Sequence, residues 1–245
     1  MRSILFALLF APLVALAAGG EIKLKSANID PNDAVSIQRG ARTFVNYCLN
    51  CHAASYMRYN RLQELGLSEQ QIKDNLLFAG DKVGETMTIA MPRKAGEQWF
   101  GVAPPDLSVT ARSRGADWLY TYFMTFYRDD STLTGWNNLA FPNVGMPHVL
   151  WELQGMQRLE APAAGEDGHG GAAATGHAKL VLAQAGTQPP AQYEQTIRDL
   201  VNYLVYMGKP MRAQRLQIGT VVLFFLSILL VLTWLLKREY WKDVH

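Results

Sequence analysis

The chain has 245 residues, of which 49% are hydrophobic and 18% charged, a composition typical of a folded protein and not of a disordered one. Its formal net charge is only +2, so the charge balance gives no sign of a nucleic-acid-binding surface and no nucleic-acid partner is expected. Two cysteines exclude a small scaffold held by several disulfides.

The N-terminus has the pattern of a secretory signal peptide. Arg2 supplies a positive charge, an apolar stretch runs over residues 4–18, and a small-x-small tripeptide occupies residues 15–17. The apolar stretch is shorter than the roughly 20 residues that a membrane-spanning helix needs. We therefore expect residues 1–17 to be removed and residues 18–210 to form an exported domain.

A helix is predicted immediately before the two cysteines. Asn32 or Asp33 can cap its N-terminus. Apolar side chains then recur at three- and four-residue steps, at Ile37, Ala41, Phe44, Val45 and Cys48.

The cysteines form the segment Cys48-Leu49-Asn50-Cys51-His52, which is the attachment motif of a c-type haem. Two intervening residues let the thiols add to the two vinyl groups, and the adjacent imidazole becomes an iron ligand. A thioredoxin-like pair also has two residues between its cysteines, but a strand precedes it, and a zinc site needs more Cys or His ligands than this chain offers. We predict one covalently attached haem c, held by Cys48, Cys51 and His52.

The rest of the exported domain is predicted to be helical with long irregular connections. A capping box beginning at Ser68 opens a helix that ends at Gly80. Three prolines predict a loop over residues 86–108, and an aromatic-rich helix follows over residues 116–127.

Residues 160–190 are rich in Ala, Gly and Pro and are predicted to form a flexible surface insertion. Solvated histidines are a better interpretation of His169 and His177 than a metal site. A helix resumes at Gln192 and breaks at Gly208.

The C-terminal part contains a predicted transmembrane helix. Residues 216–236 carry no charge, and 21 helical residues cross a hydrocarbon core of about 30 Å; a buried core helix is the weaker alternative. Because the preceding domain is exported, the tail at residues 237–245 is expected in the cytoplasm.

An electron-carrying haem iron needs a second axial ligand, and methionine raises the reduction potential relative to a second histidine. Two methionines are followed by proline, Met91 and Met146. Spacing from His52 alone slightly favours Met91, which lies 39 residues beyond it, over Met146, which lies 94 residues beyond it. The other ring nitrogen of His52 is expected to donate a hydrogen bond to a backbone carbonyl.

Three further features accompany the haem motif: the sequence PPDLS at residues 104–108, the sequence GMP at residues 145–147, and the single C-terminal anchor. In this order they resemble the cytochrome c1 family. The resemblance implies a mostly α c-type cytochrome fold with long irregular loops and one C-terminal transmembrane helix. It also implies that Met146 is the second iron ligand and that Pro105 forms part of the apolar haem wall.

The resemblance further implies that an arginine after PPDLS meets a haem propionate. Arg114 is the better candidate and Arg112 the alternative. Where the family has a tyrosine after this arginine, the chain has Trp118.

The implied function is that of a one-electron carrier in ubiquinol–cytochrome c oxidoreductase, active as an enzyme only within that complex. Its partners would be cytochrome b, a Rieske iron–sulfur protein, a c-type cytochrome acceptor and the lipid bilayer. It would be a single-pass protein of a bacterial inner membrane with its haem domain in the periplasm. An anchored c-type cytochrome of another respiratory chain and a thiol–disulfide oxidoreductase are the alternatives.

Overall fold

The computed structural model describes residues 22–160, 179–209 and 212–242. The expected signal peptide, residues 1–17, lies outside the described residues, as do His169 and His177. Two long helices and several short ones surround the core, and the described residues also form three two-stranded antiparallel sheets.

The first helix, α1 (Ala34–Tyr47), confirms the helix predicted before the haem motif. The Asp33 side chain accepts a 3.0 Å hydrogen bond from the backbone N–H of Ser36. Of the two candidates, Asp33 and not Asn32 is therefore the N-cap. The apolar stripe faces the core, with Ile37, Ala41, Phe44 and Val45 buried.

The other elements follow in chain order. They are β1 (Ala54–Arg58), a 3₁₀ helix (Tyr59–Leu65), α2 (Glu69–Asn75), β2 (Thr86–Met87), α3 (Arg93–Phe100), α4 (Thr110–Arg114), α5 (Ala116–Met124), β3 (Phe126–Arg128), β4 (Trp136–Asn138), α6 (Trp151–Gln154), β5 (Gly155–Glu160), β6 (Lys179–Ala185), α7 (Pro190–Gly208) and α8 (Arg212–Tyr240). Strand β1 pairs with β2, β3 with β4, and β5 with β6.

Helices α1 and α7 form the centre of the domain. They approach so closely at Gly40 that an added Cβ would overlap the backbone carbonyl of Asp199. The Asp199 side chain is buried between the helices, where it accepts hydrogen bonds from Arg39 at 2.6 and 2.9 Å and from the Ser36 hydroxyl at 2.7 Å. This interface holds in place the helix that carries the haem motif.

Several predicted boundaries are wrong. The helix opened by Ser68 has its capping box but ends at Asn75 and not at Gly80. The predicted loop over residues 86–108 contains α3, because Pro92 occupies a helix N-cap, where a missing N–H costs nothing. The predicted helix over residues 116–127 stops at Met124, where the chain enters β3.

The insertion predicted over residues 160–190 is wrong at both ends. Glu160 is the last residue of β5, which pairs with β6 along six residue pairs, and α7 already begins at Pro190. All seven side chains of β6 are exposed or partly exposed, so the composition suggested a solvated loop where a strand pair forms.

Helix α8 contains the predicted transmembrane segment. Residues 215–240 form a continuous helix of 26 residues, and its most apolar stretch of 18 residues has a mean hydropathy of 2.6, so the helix is long and apolar enough to cross a membrane. No residue of this 18-residue stretch is buried inside the protein. This apolar helix fits a single membrane span.

Candidate functional site

A largely apolar cavity of about 330 Å³ lies between the haem motif, the 104–108 loop, α5 and the 145–147 segment. Its lining residues are Tyr47, Cys48, Cys51, His52, Phe100, Val102, Pro104, Pro105, Leu107, Thr110, Arg114, Trp118, Leu119, Tyr122, Phe123, Phe141, Val144, Gly145, Met146, Pro147, Val149 and Leu204. All six residues that the sequence proposed for a haem site are among them.

The haem motif continues from the end of α1 as a tight turn. The N–H groups of Cys51 and His52 both donate to the carbonyl of Cys48, at 3.0 and 2.8 Å. Both cysteines are free thiols; Cys48 is buried and Cys51 half-buried. Burial raises the pKa of Cys48 to about 12 and also raises the pKa of Cys51. The turn therefore brings two neutral thiols and one imidazole to the same cavity.

The imidazole of His52 is oriented by the 104–108 loop. Its Nδ1 donates a 2.7 Å hydrogen bond to the carbonyl oxygen of Pro105, which confirms the bond to a backbone carbonyl expected from the sequence. Because a carbonyl can only accept, Nδ1 holds the proton and Nε2 keeps a free lone pair. Burial lowers the pKa of His52, against the opposing effects of this bond and of the Asp106 charge, and so favours the neutral ring that a metal requires.

The 104–108 loop is itself fastened to the segment after the motif. The Asp106 carboxylate accepts hydrogen bonds from the N–H of Ser55 at 2.9 Å and of Ser108 at 2.8 Å. The N–H of Leu107 donates to the carbonyl of Ala53 at 2.8 Å. These bonds set the position of the Pro105 carbonyl that His52 needs.

Met146 lines the cavity, whereas Met91 does not. Met91 precedes α3, and its side chain lies near Gly96 of that helix. The phenol of Tyr122 donates a hydrogen bond to the Met146 Sδ at 3.3 Å. Burial raises the pKa of this phenol.

Two residues beyond Met146, the buried ring of His148 holds the segment in place. This ring stacks on Phe126, with centroids 4.7 Å apart, and its Nε2 shares a 2.6 Å hydrogen bond with the Gln154 side-chain oxygen. Of these two methionines, Met146, which the resemblance implies, shares a cavity with His52, and Met91, which spacing alone favours, does not.

The structure also distinguishes the two candidate arginines. Arg114 lines the cavity, and its guanidinium carbon lies 4.9 Å from the ring centroid of Trp118 and 5.9 Å from that of Phe141. Both arginines are exposed, but Arg112 is not among the lining residues, and its backbone instead lies beside Gly208 of α7. Trp118, which has no hydroxyl, provides an aromatic face for the Arg114 guanidinium.

The chemistry of this donor set fits a c-type haem. Two thiols, an imidazole with a free Nε2, a thioether and a guanidinium border one apolar cavity, and they match the two vinyl groups, two axial positions and propionate charge of the group. Among the described residues, no cluster of three or more His, Cys, Asp or Glu could hold a separate metal ion. Tyr122, which lines the cavity, and His148, which supports the segment that carries Met146, were missed in the sequence, because an aromatic run and a lone histidine are typical of any core.

Comparison with known proteins agrees with this geometry. A family model described as the Cytochrome C1 family matches residues 26–244. A protein of Allochromatium vinosum named "Cytochrome c1" is 48% identical over 248 residues, covering 100% of both chains. A protein of Nitrosomonas europaea named "Ammonia monooxygenase gamma subunit" is 50% identical over 245 residues, covering 100% of this chain and 99% of that one. A "Cytochrome c1" of Rhodospirillum rubrum is 28% identical over 86% of this chain and 83% of its own.

Proposed function

The chain belongs to the cytochrome c1 family, and we propose on that basis that it is the haem c subunit of a ubiquinol–cytochrome c oxidoreductase. Membership makes it a redox subunit of an oxidoreductase complex and implies a covalently bound haem c. In the proposed role it receives single electrons from a Rieske iron–sulfur protein and passes them to a c-type cytochrome. The observation that carries the proposal is the cavity in which both cysteines, His52 and Met146 meet.

Each residue of the cavity has a defined part in holding the group. Cys48 and Cys51 would form the two thioether bonds, and His52 would bind the iron through Nε2, whose direction is set by the bond from Nδ1 to Pro105. Met146 would be the second axial ligand, and Arg114 would meet a propionate. When bound, the haem supplies reversible one-electron chemistry.

The lining residues favour the reduced state. A methionine ligand gives a higher potential than a second histidine, and apolar walls such as Pro105, Val144 and Leu119 disfavour the more highly charged oxidised iron. Arg114 compensates a propionate charge in the same cavity. The protein therefore tunes the potential by the type of ligand, by excluding water and by placing one cation.

The proposed location follows from the two apolar segments. A signal peptide at residues 1–17 would export the haem domain to the periplasm, and α8 would then stop transfer as a single span of the bacterial inner membrane. The tail after Tyr240 would lie in the cytoplasm. Cytochrome b and the bilayer are the proposed neighbours of the apolar surface of α8.

A thiol–disulfide oxidoreductase is the less favoured alternative. Such an enzyme needs an accessible cysteine with a lowered pKa, because the thiolate is the nucleophile. Cys48 is only 5% exposed, and burial raises its pKa. A haem-dependent peroxidase stain of the denatured chain on a gel decides the matter, since only a covalently held haem remains in the band.

The relative from Nitrosomonas europaea supports one second candidate, a haem subunit of a different membrane complex, because its printed name places that protein in an ammonia monooxygenase. Affinity purification of the tagged full chain after gentle solubilisation separates the two. Co-purification of a b-type cytochrome and an iron–sulfur protein supports the proposed function. Co-purification of the subunits of another enzyme, without a b-type cytochrome or an iron–sulfur protein, would refute it.

A further inference from the structure

The hydrogen bond between Tyr122 and Met146 joins a side chain of α5 to the proposed iron ligand 24 residues later. Tyr122 is 8% exposed, so its phenol is removed from bulk water. A phenol at neutral pH carries its proton and can donate it to a neighbouring lone pair. Among the described residues, the partner that it finds is the Met146 sulfur, at 3.3 Å.

The phenol is held in this direction from three sides. Trp118 stacks on its ring with an interplanar angle of 11° and centroids 5.1 Å apart, and Phe126 packs edge-on at 4.9 Å. The backbone carbonyl of Tyr122 accepts a 2.7 Å hydrogen bond from the Asn138 side chain. The donor is therefore fixed before any ligand binds, which is what a preorganised site needs.

A thioether sulfur has two lone pairs, so it can bind a metal through one and accept a hydrogen bond through the other. We propose that Tyr122 is a positioning residue that acts through Met146, orienting the sulfur and raising the reduction potential of the iron. This inference rests on the proposed function, because it takes Met146 as the ligand. The hydrogen bond withdraws electron density from the sulfur. Because ferric iron is stabilised by electron donation from the sulfur more than ferrous iron is, the oxidised state is destabilised relative to the reduced state.

The test is Tyr122→Phe in the full-length chain within its solubilised membrane complex. The variant loses one oxygen atom and keeps the aromatic packing. A hydrogen bond contributes about 0.5–1.5 kcal/mol. The equilibrium constant for reduction should therefore fall by up to about tenfold, which is 59 mV for one electron. The methionine–iron charge-transfer band of the oxidised protein should remain, because Met146 is still present.

Tyr203→Phe is the matched control. The Tyr203 phenol also donates to a methionine sulfur, that of Met87, at 3.3 Å, and both side chains are fully buried. Neither residue lines the haem cavity. This variant should lose a bond of the same kind and leave the potential unchanged. If Tyr122→Phe and Tyr203→Phe both have the potential of the unaltered protein, the inference is overturned.

A second variant covers the case in which Tyr122→Phe fails to assemble. Replacing Tyr122 alone by 3-fluorotyrosine keeps the hydroxyl and makes it a stronger donor, so the potential should rise; no change or a fall contradicts the inference. Failure of the proposed function would be seen in the co-purification described above, and failure of the premise that Met146 is the ligand has its own signature. It would be a charge-transfer band that survives Met146→Leu, whatever happens to the potential of the Tyr122 variants.

Discussion

The Nδ1 of His52 lies 2.7 Å from the carbonyl oxygen of Pro105, although the two residues are 53 positions apart. The contact depends on a loop that would otherwise have few constraints, since Pro104 and Pro105 have no N–H to donate. Asp106 supplies the missing attachment by accepting from the N–H of Ser55 and of Ser108. Asp106 thus orients the imidazole indirectly, by fixing the loop that carries the Pro105 carbonyl.

The first prediction concerns this attachment. Asp106→Asn keeps one acceptor oxygen but turns an amide N–H₂ toward a backbone donor, so we expect a loss of about 1 kcal/mol in the free energy of unfolding. Denaturant unfolding of the purified holoprotein, followed by haem absorbance, measures it. Asp130→Asn is the control, because Asp130 forms only a surface pair with Arg128, and such pairs contribute little. Equal stability of the two variants would contradict the assigned role.

The same carboxylate gives a pH dependence. Burial raises the pKa of Asp106, but the hydrogen bonds from Ser108 and Ser55 outweigh it and lower the pKa below its ordinary value of 3.8. The stabilisation is therefore present above that value and is lost as the pH falls through the lowered one. The difference in stability between the unaltered protein and Asp106→Asn should shrink at low pH.

The second prediction distinguishes the two methionines. Met146→Leu keeps volume and apolarity, so the fold should lose less than about 1.5 kcal/mol, while the charge-transfer band disappears and the potential drops strongly. Met91→Leu should change neither quantity. Spectra of the oxidised proteins and redox titrations measure both. A band lost in Met91→Leu and kept in Met146→Leu would reverse the ligand assignment.

The third prediction concerns attachment. Cys48→Ala and Cys51→Ala each remove one thioether, and we expect little covalently bound haem in either variant. Haem staining of denaturing gels measures it, with an immunoblot of the same chain to correct for its amount. Ser55→Ala is a useful control, because it keeps both cysteines and leaves in place the hydrogen bond from the Ser55 backbone N–H to Asp106. A normally stained band in either cysteine variant would rule out attachment at that position.

The fourth prediction concerns the helix contact behind the haem motif. Gly40→Ala places a methyl group against the backbone of Asp199, which cannot move away as a flexible side-chain end could. Forced separation of α1 and α7 should cost about 1–3 kcal/mol or more. Gly84→Ala is the control, because no atom lies within 4 Å of an added Cβ there. Thermal unfolding of the two variants under identical conditions shows whether the contact is as tight as described.

The fifth prediction concerns topology. If residues 1–17 export the domain and α8 anchors it, protease added to intact spheroplasts should remove the haem-stained fragment. A tag after His245 should stay protected until the membrane is opened. Protection of the haem domain in intact spheroplasts would place it on the other side of the membrane and overturn the proposed location.

Local signals were sufficient for part of the fold. The Asp33 cap, the Ser68 capping box and the apolar span at residues 216–236 act within a few residues of one another, and the structure has all three elements. The β5–β6 hairpin escaped prediction because its partners are separated along the chain, and the composition near β6 favours a loop. Helix α3 escaped prediction because its eight residues include Gly96 and are flanked by Pro92 and Gly101.

The functional site likewise has a part that the sequence predicts and a part that it does not. The haem motif is contiguous and could be read directly, whereas spacing alone favoured Met91 and the family resemblance was needed to select Met146, the methionine that lines the cavity. The Tyr122 hydroxyl could not be assigned, because its partner depends on how α5 packs over the 145–147 segment. A single sequence carries no signal for that packing.

The short connection between α7 and α8 limits how far the haem domain can travel. Only residues 209–211 separate Gly208 from Arg212, and four peptide units reach at most about 14 Å. With α8 in a bilayer, the electron-exchanging surface is confined to a thin layer beside the lipid headgroups. A partner anchored in the same membrane then meets this surface by a nearly two-dimensional search, in which a modest number of molecules amounts to a high local concentration.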